Sequence, residues 1–256
     1  MSYLVICVVA LLASGLTFFS GFGLGTLLLP AFALFFPIEQ AVAMTAIVHF
    51  LNGLFKLALV GRNADRRVVL RFGLPAILAA FAGAWVLFWL SGVEPLLSYS
   101  LFGREVRVTP VKLVMGLLLL LFALAELLPR FRDVSFGPRY LPVGGLLSGF
   151  FGGLSGMQGA LRSAFLARSG LSKEAFIATG VVVACLIDLA RLGVYSRSLL
   201  EGPQLDYGLL GGAVLSAFAG AYLGNRFLKK MTMRGIQRIV AVLLFVVAVG
   251  LACGFL

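Results

Sequence analysis

Apolar residues fill this chain in long blocks, with polar residues confined to short punctuations between them. The blocks at 3–19, 22–36, 41–60, 72–90, 111–127, 141–153, 156–167, 176–194, 207–224 and 239–256 predict about ten helical segments. Stretches of ~20 apolar residues match a bilayer core of ~30 Å. In lipid a chain must satisfy its own backbone groups, which a helix does alone. The expected fold is therefore an all-α polytopic membrane protein. Two adjoining pairs, 3–19 with 22–36 and 141–153 with 156–167, have no charged loop between their members. Glycines interrupt them instead: Ser20-Gly21-Phe22-Gly23-Leu24-Gly25 in the first, and the run from Gly149 to Gly159 in the second. Several half-segments are too short to cross alone at ~1.5 Å per residue, so each pair predicts a broken, re-entrant helix.

Composition agrees with that solvent. Hydrophobic residues make up 61% of the chain and charged residues 12%, against roughly 45–50% and about a quarter in a soluble protein. The net charge of +11 lies between the apolar blocks, so it reads as loop anchoring on the cytoplasmic side. With no soluble module to carry a basic face, nucleic acid is excluded as a partner. Three basic loops stand out: Arg62-Arg66-Arg67-Arg71, Arg130-Arg132-Arg139 and Arg226-Lys229-Lys230-Arg234-Arg238. Placing all three inside requires each glycine-broken pair to enter and return. Both termini then lie outside, periplasmic in a bacterial-type inner membrane. The chain divides into 1–128 and 129–256, five segments each, with opposite orientations: an inverted-topology repeat. Ser20-Gly21-Phe22 recurs as Ser148-Gly149-Phe150, and Thr179 echoes Thr45. No Lys or Arg precedes Lys56, so 3–19 reads as part of the mature fold and not as a signal peptide. Cys7, Cys185 and Cys253 lack metal-ligand spacing and read as small buried residues.

The candidate chemistry follows from the interruptions. Inverted repeats with broken helices in matching places point to a midplane site between the halves. A helix starting inside the membrane presents free N–H groups and about half a positive charge, and glycine lets a ligand approach that backbone. Gly23, Gly25 and Thr26 in the first break, and Ser155, Gly156 and Gln158 in the second, are the substrate-binding candidates. Glycines also pack membrane helices closely, the rival reading of the same pattern. The ionisable residues within the blocks are His49, Lys56, Glu126, Arg162, Asp188 and Arg191, each costly to insert and hence of functional interest. Arg162 follows the second break, and its guanidinium suits an oxyanion; pairing with a carboxylate such as Glu126 is the alternative. Thr45, His49, Asn52 and Lys56 share one helical face, although Lys56 also has the reach to snorkel to the cytoplasmic end. Asp188 and Arg191, three residues apart, form either a structural pair or a switch in which a proton on Asp188 frees Arg191. His49 and Asp188 are thus the coupling candidates. A single His, no metal-ligand cluster and no Walker motif point away from an enzyme and from any cofactor or metal.

The run Ser20-Gly-Phe-Gly-Leu-Gly-Thr-Leu-Leu-Leu-Pro30, with its counterpart Gly145-Leu-Leu-Ser-Gly-Phe-Phe-Gly-Gly-Leu-Ser-Gly-Met-Gln-Gly159, resembles the paired motifs of the sulfite exporter TauE/SafE family of membrane permeases. The resemblance spans nearly the whole chain in topology. It implies transport, commonly outward, of a small sulfur-containing or organic anion such as sulfite or a sulfonate. Arg162 stands where the second motif normally carries proline. The expected function is secondary transport by alternating access, with an anion channel or a cation- or proton-coupled permease as alternatives on the same scaffold. The expected partners are a small anion and membrane lipid, and broken-helix transporters of this size often form homodimers.

Overall fold

The computed structural model describes residues 1–17, 24–101, 104–127, 134–201, 205–227 and 233–254, with only the backbone described at 101, 104, 105, 126, 127, 197–201, 227, 233–241 and 243. Among these residues there are ten α-helices. Helices α1 (Ser2–Leu16), α2 (Leu24–Ala33), α3 (Ile38–Val60), α4 (Arg66–Ser91) and α5 (Pro110–Leu127) come from the first half. Helices α6 (Leu141–Ser155), α7 (Gly159–Leu166), α8 (Lys173–Glu201), α9 (Tyr207–Phe227) and α10 (Met233–Ala252) come from the second. The protein is an all-α polytopic membrane protein, and α3, α4, α8 and α9 are each long and apolar enough to cross a bilayer. The first break, Ser20 to Gly23, lies outside the described residues, as do Arg130, Arg132, Lys229 and Lys230 of the basic loops.

The second break is narrower than the glycine pattern suggests. Helix α6 runs without interruption through Gly149, Gly152 and Gly153 and stops only at Gly156, whose φ of 79° is left-handed. That geometry suits a residue without a side chain. Helix α7 then returns toward the start of α6. The Phe136 amide donates to the Ala164 carbonyl at 3.1 Å, and the Phe136 and Phe165 rings stack with centroids 4.3 Å apart.

The glycines upstream of the break hold helices together. Gly145, Gly149 and Gly153, four apart on one face of α6, seat their Cα atoms on the Phe72, Ala76 and Ala80 carbonyls of α4. The register advances equally on both helices, so α4 and α6 run side by side in the same direction. On the other side of the bundle Gly220 and Gly224 of α9 meet the Leu11 and Gly15 carbonyls of α1, again in parallel. This is the small-residue packing by which membrane helices associate without a hydrophobic drive. Helix α3 crosses α8 antiparallel, with His49 opposite Asp188 and Gly53 opposite Cys185. At the start of α9, Asp206 caps the Leu209 amide at 2.9 Å and accepts the Tyr3 hydroxyl at 2.6 Å, which ties α1 to α9. The Tyr3 hydroxyl and then the Leu209 amide hold the Asp206 carboxyl below its ordinary range.

Among the described residues one pair of strands lies between the apolar blocks. Strands β1 (Leu97–Leu101) and β2 (Arg104–Val108) form an antiparallel hairpin between α4 and α5. Their alternation, with Val106 and Val108 buried, is a period of two rather than 3.6. The hairpin lies against the end of α10, where the Tyr99 hydroxyl donates to the Cys253 carbonyl at 2.5 Å. The cysteines do not behave alike: Cys185 is buried, Cys7 is intermediate and Cys253 is exposed, contrary to the buried role expected of all three.

Candidate functional site

The polar stripe of α3 faces inward. Thr45, His49, Asn52 and Lys56 are all buried. Lys56 does not snorkel: its Nζ points into the bundle and lies 3.5 Å from the Ser14 carbonyl of α1, while the Ser14 hydroxyl donates to Asn52 at 3.1 Å. Across from the stripe stands α7, whose first turn after the break carries Arg162. Arg162 is 7% exposed, and its Nη1 donates to the Gln158 carbonyl oxygen Oε1 at 3.0 Å. It does so at the i+4 spacing of one helical turn.

His49, Asn52, Lys56 and Arg162 together line a cavity of about 50 Å³, closed by Ser163 of α7 and Gly180 of α8. That space is several times the ~10–15 Å³ one water requires, enough for a small polyatomic ion. The cavity lies toward the end of the bundle where α3 finishes and α8 begins, since Lys56, Leu166, Phe176 and Ile177 all contribute to its wall. Gly180 lies beside the Arg162 side chain, where an added Cβ would stand in ordinary contact with Nε at 3.4 Å.

One layer deeper, charge is paired and buried. The Asp188 carboxylate, fully buried, takes His49 Nδ1 at 2.5 Å on Oδ2. On Oδ1 it takes Arg191 Nε at 3.0 Å, with Arg191 Nη2 at 2.9 Å and Gln158 Nε2 at 3.4 Å. Neither Arg191 Nη1 nor Nη2 has a hydrogen-bond partner among the described residues, Nη2 meeting Asp188 as an ion-pair contact only, and Nη1 lies against Gly156, where a Cβ would approach it to 2.6 Å. Gly156 in turn faces Gly25 of α2, whose missing Cβ would come within 2.9 Å of the Gly156 carbonyl oxygen. The start of α2 and the end of α6 therefore meet at this level, next to the His49 ring.

The sequence candidates separate into three places. His49, Asn52, Lys56 and Arg162 line the cavity. Gly25, Gly156, Gln158, Asp188 and Arg191 form the layer behind it. Ser155 and Thr26 lie in neither: the Ser155 hydroxyl donates to the Phe151 carbonyl and accepts the Met157 amide, closing the turn, and Thr26 is buried in α2. Gly23 and the Glu126 side chain lie outside the described residues. Sequence reasoning passed over Ser14, Cys185 and Tyr195. Ser14 is separated by 38 residues from the Asn52 it binds, and no local pattern marks it. Tyr195 was within reach, one turn beyond Arg191 on the same face of α8.

Tyr195 closes the far side of the paired layer by donating its hydroxyl to the Gly153 carbonyl. Beyond it a second cavity, of about 480 Å³, is lined by Glu39 at the start of α3, Phe88, Trp89 and Ser91 at the end of α4, Val93 just after it, and Tyr195 itself. The two cavities open toward opposite ends of the bundle, with the His49–Asp188–Arg191 layer between them.

No match is found among curated proteins. The family described as sulfite exporter TauE/SafE matches residues 6–251 of the 256, a span that takes in both breaks, both cavities and every charged residue of the paired layer. The chain is a member of that family of membrane transporters.

Proposed function

We propose that this protein is a secondary transporter that exports a small sulfur-containing or organic anion, such as sulfite or a sulfonate, across a bacterial-type inner membrane. The observation that carries the reading is the cavity in which Lys56 and Arg162 face a common space while its described lining holds no carboxylate. Asp188 is kept behind Gln158 and neutralised by Arg191. The Arg162 guanidinium in a water-poor site attracts an anion far more strongly than in bulk solvent, and its fork matches oxyanion geometry.

Movement across the membrane follows from the pairing of helices. We take 1–128 and 129–256 as two halves of opposite orientation. Three packings support this. Helix α1 lies parallel to α9, as its counterpart α6 lies parallel to α4, and α3 crosses its own counterpart α8 antiparallel. Rocking one half against the other closes the cavity at Arg162 and opens the one at Tyr195, so the anion meets only one side at a time. Positive-inside placement of Arg62, Arg66, Arg67 and Arg71 puts the Arg162 cavity on the cytoplasmic side and both termini outside.

The test is a thermal-shift screen of purified protein against sulfite, thiosulfate, sulfoacetate, taurine and simple carboxylates, repeated with Arg162→Ala. Stabilisation grows with ligand concentration over its dissociation constant, about 2.7 kcal/mol at a hundredfold excess. One small anion is expected to stabilise the wild type, and the variant to lose the effect. An unchanged shift in Arg162→Ala removes this site. Dependence on Asp188 with indifference to Arg162 marks a cation carrier instead, and flux without counter-transport marks a channel.

A further inference from the structure

Gln158 stands where α6, α7 and α8 meet, and its side chain does not do what its position suggests. It is the N-cap of α7 yet makes no side-chain capping bond, the ordinary task of a polar side chain at that place. It is fully buried and forms no part of the wall of the Lys56–Arg162 cavity. Its amide instead joins two other side chains. Oε1 accepts Arg162 Nη1 at 3.0 Å, and Nε2 reaches Asp188 Oδ1 at 3.4 Å. A guanidinium carries only donors, so the amide has one orientation, oxygen toward Arg162 and nitrogen toward Asp188.

The backbone at Gln158 is held as firmly. Its carbonyl accepts the Ser148 hydroxyl of α6 at 3.2 Å and the Arg162 amide at 2.9 Å. Gly152 leaves space for the side chain, since a Cβ there would meet the Gln158 Cβ at 3.0 Å. Ser148 and Gly152, one turn apart on α6, thus seat the residue that in turn seats Arg162.

We propose that Gln158 is the positioning residue of the anion site: its neutral amide holds the Arg162 guanidinium at the cavity and keeps it apart from Asp188. This role rests on the anion-transport reading above and names the residue through which Arg162 is aimed. A buried guanidinium needs an acceptor. A carboxyl group in that place would take up the charge that an arriving anion must find, whereas an amide oxygen supplies the hydrogen bond and leaves the charge. The nitrogen matters equally. It engages Oδ1, the oxygen that also meets Arg191 Nε at 3.0 Å. Without the amide, a long cation on a flexible stem stands beside an oxygen acceptor and is able to swing out of the cavity into the paired layer. A guanidinium already fixed also loses less freedom when an anion arrives, so it binds more tightly than a loose one.

The test titrates the purified full chain with sulfite and methanesulfonate and follows transport by the same chain in liposomes. Gln158→Met keeps the length and removes both hydrogen bonds. Gln158→Glu keeps the shape and sets a carboxyl group against Arg162. The Met variant is expected to bind about tenfold more weakly, the scale of one hydrogen bond to a charged group, and the Glu variant more weakly again. In transport the Met variant should show a raised KM with kcat within about twofold of the wild type, the pattern of lost binding alone. A packing role would lower the unfolding temperature of both variants and leave the affinity of the folded protein unchanged, which overturns the proposal. So does a Glu variant that binds as tightly as the wild type, or a kcat that falls while KM holds. Should Gln158→Met fail to fold, the nearly isosteric Gln158→Glu decides by its affinity. Arg162→Ala separates the two readings. If it loses the anion while the Gln158 variants bind like the wild type, only the positioning role falls. If it binds like the wild type, or the wild type binds neither probe, the anion site itself falls and the role of Gln158 with it.

Discussion

A charge inside a bilayer needs a fixed partner or a polar cavity to face, and the Asp188–Arg191 pair shows how little slack the first solution leaves. Both side chains are fully buried, and Arg191 has the Asp188 carboxylate as its counter-charge, with Nη1 unpaired. Removing one partner of such a pair costs about 3–5 kcal/mol, because the other charge is left uncompensated, whereas replacing both by apolar groups is often neutral. Asp188→Ala should therefore lower unfolding stability in detergent by that order. Asp188→Ala with Arg191→Met should recover most of the loss without restoring transport. A double variant no more stable than the single one would mean that Arg191 is balanced by something other than Asp188. The spacing of Asp188 and Arg191, three apart in an apolar helix, announced the pair. Its ligation by His49 from 139 residues away did not, since no local periodicity relates α3 to α8.

Helix by helix, glycine serves two purposes that look identical in one dimension. Gly156 ends α6 with a left-handed turn and makes room for Arg191. Gly145, Gly149 and Gly153 do neither; they let α6 lie on the backbone of α4. A methyl at Gly149 would stand 2.6 Å from the Ala76 Cα and collide with the Ala76 carbonyl, both immobile backbone. Gly149→Ala should thus cost about 1–3 kcal/mol by overpacking. Gly211→Ala, where a Cβ meets nothing within 4 Å, should be neutral or slightly stabilising through helix propensity. Thermal unfolding of the two variants side by side checks the contrast, and equal effects would mean that α4 and α6 are not in backbone contact. The same ambiguity explains why the second break was read as running from Gly149 to Gly159, although the helix is interrupted only at 156–158.

For the molecule as a whole, the decisive feature is that two cavities face opposite ends of one bundle with a buried, charge-paired layer between them. A continuous pore would need neither the layer nor the second cavity. The proposed orientation puts the Lys56–Arg162 cavity inside and the C-terminus outside, which the exposed thiol of Cys253 can report. In a variant carrying Cys7→Ala and Cys185→Ala, a membrane-impermeant thiol reagent should label intact cells at Cys253. Labelling confined to inside-out vesicles would reverse the orientation, and with it the side on which each cavity opens.

The membrane class, the number of helices and their approximate ends follow from one-dimensional quantities, hydropathy and charge placement, because lipid permits so few backbone solutions. The β1–β2 hairpin was legible too, as an alternation in Leu97–Leu101 and Arg104–Val108, but it lies between the apolar blocks that carried the reading. Inward orientation of the α3 stripe was available from its spacing, while the choice between a snorkelling and a buried Lys56 was not. That choice depends on Ser14 of another helix offering its carbonyl. Likewise, only the packing of α3, α7 and α8 decided that Arg162 lines the cavity while Arg191 stands behind it. Periodicity fixes which face of a helix a residue occupies. The neighbour that face meets depends on crossings between helices far apart in the chain, and those exist only once the bundle has closed.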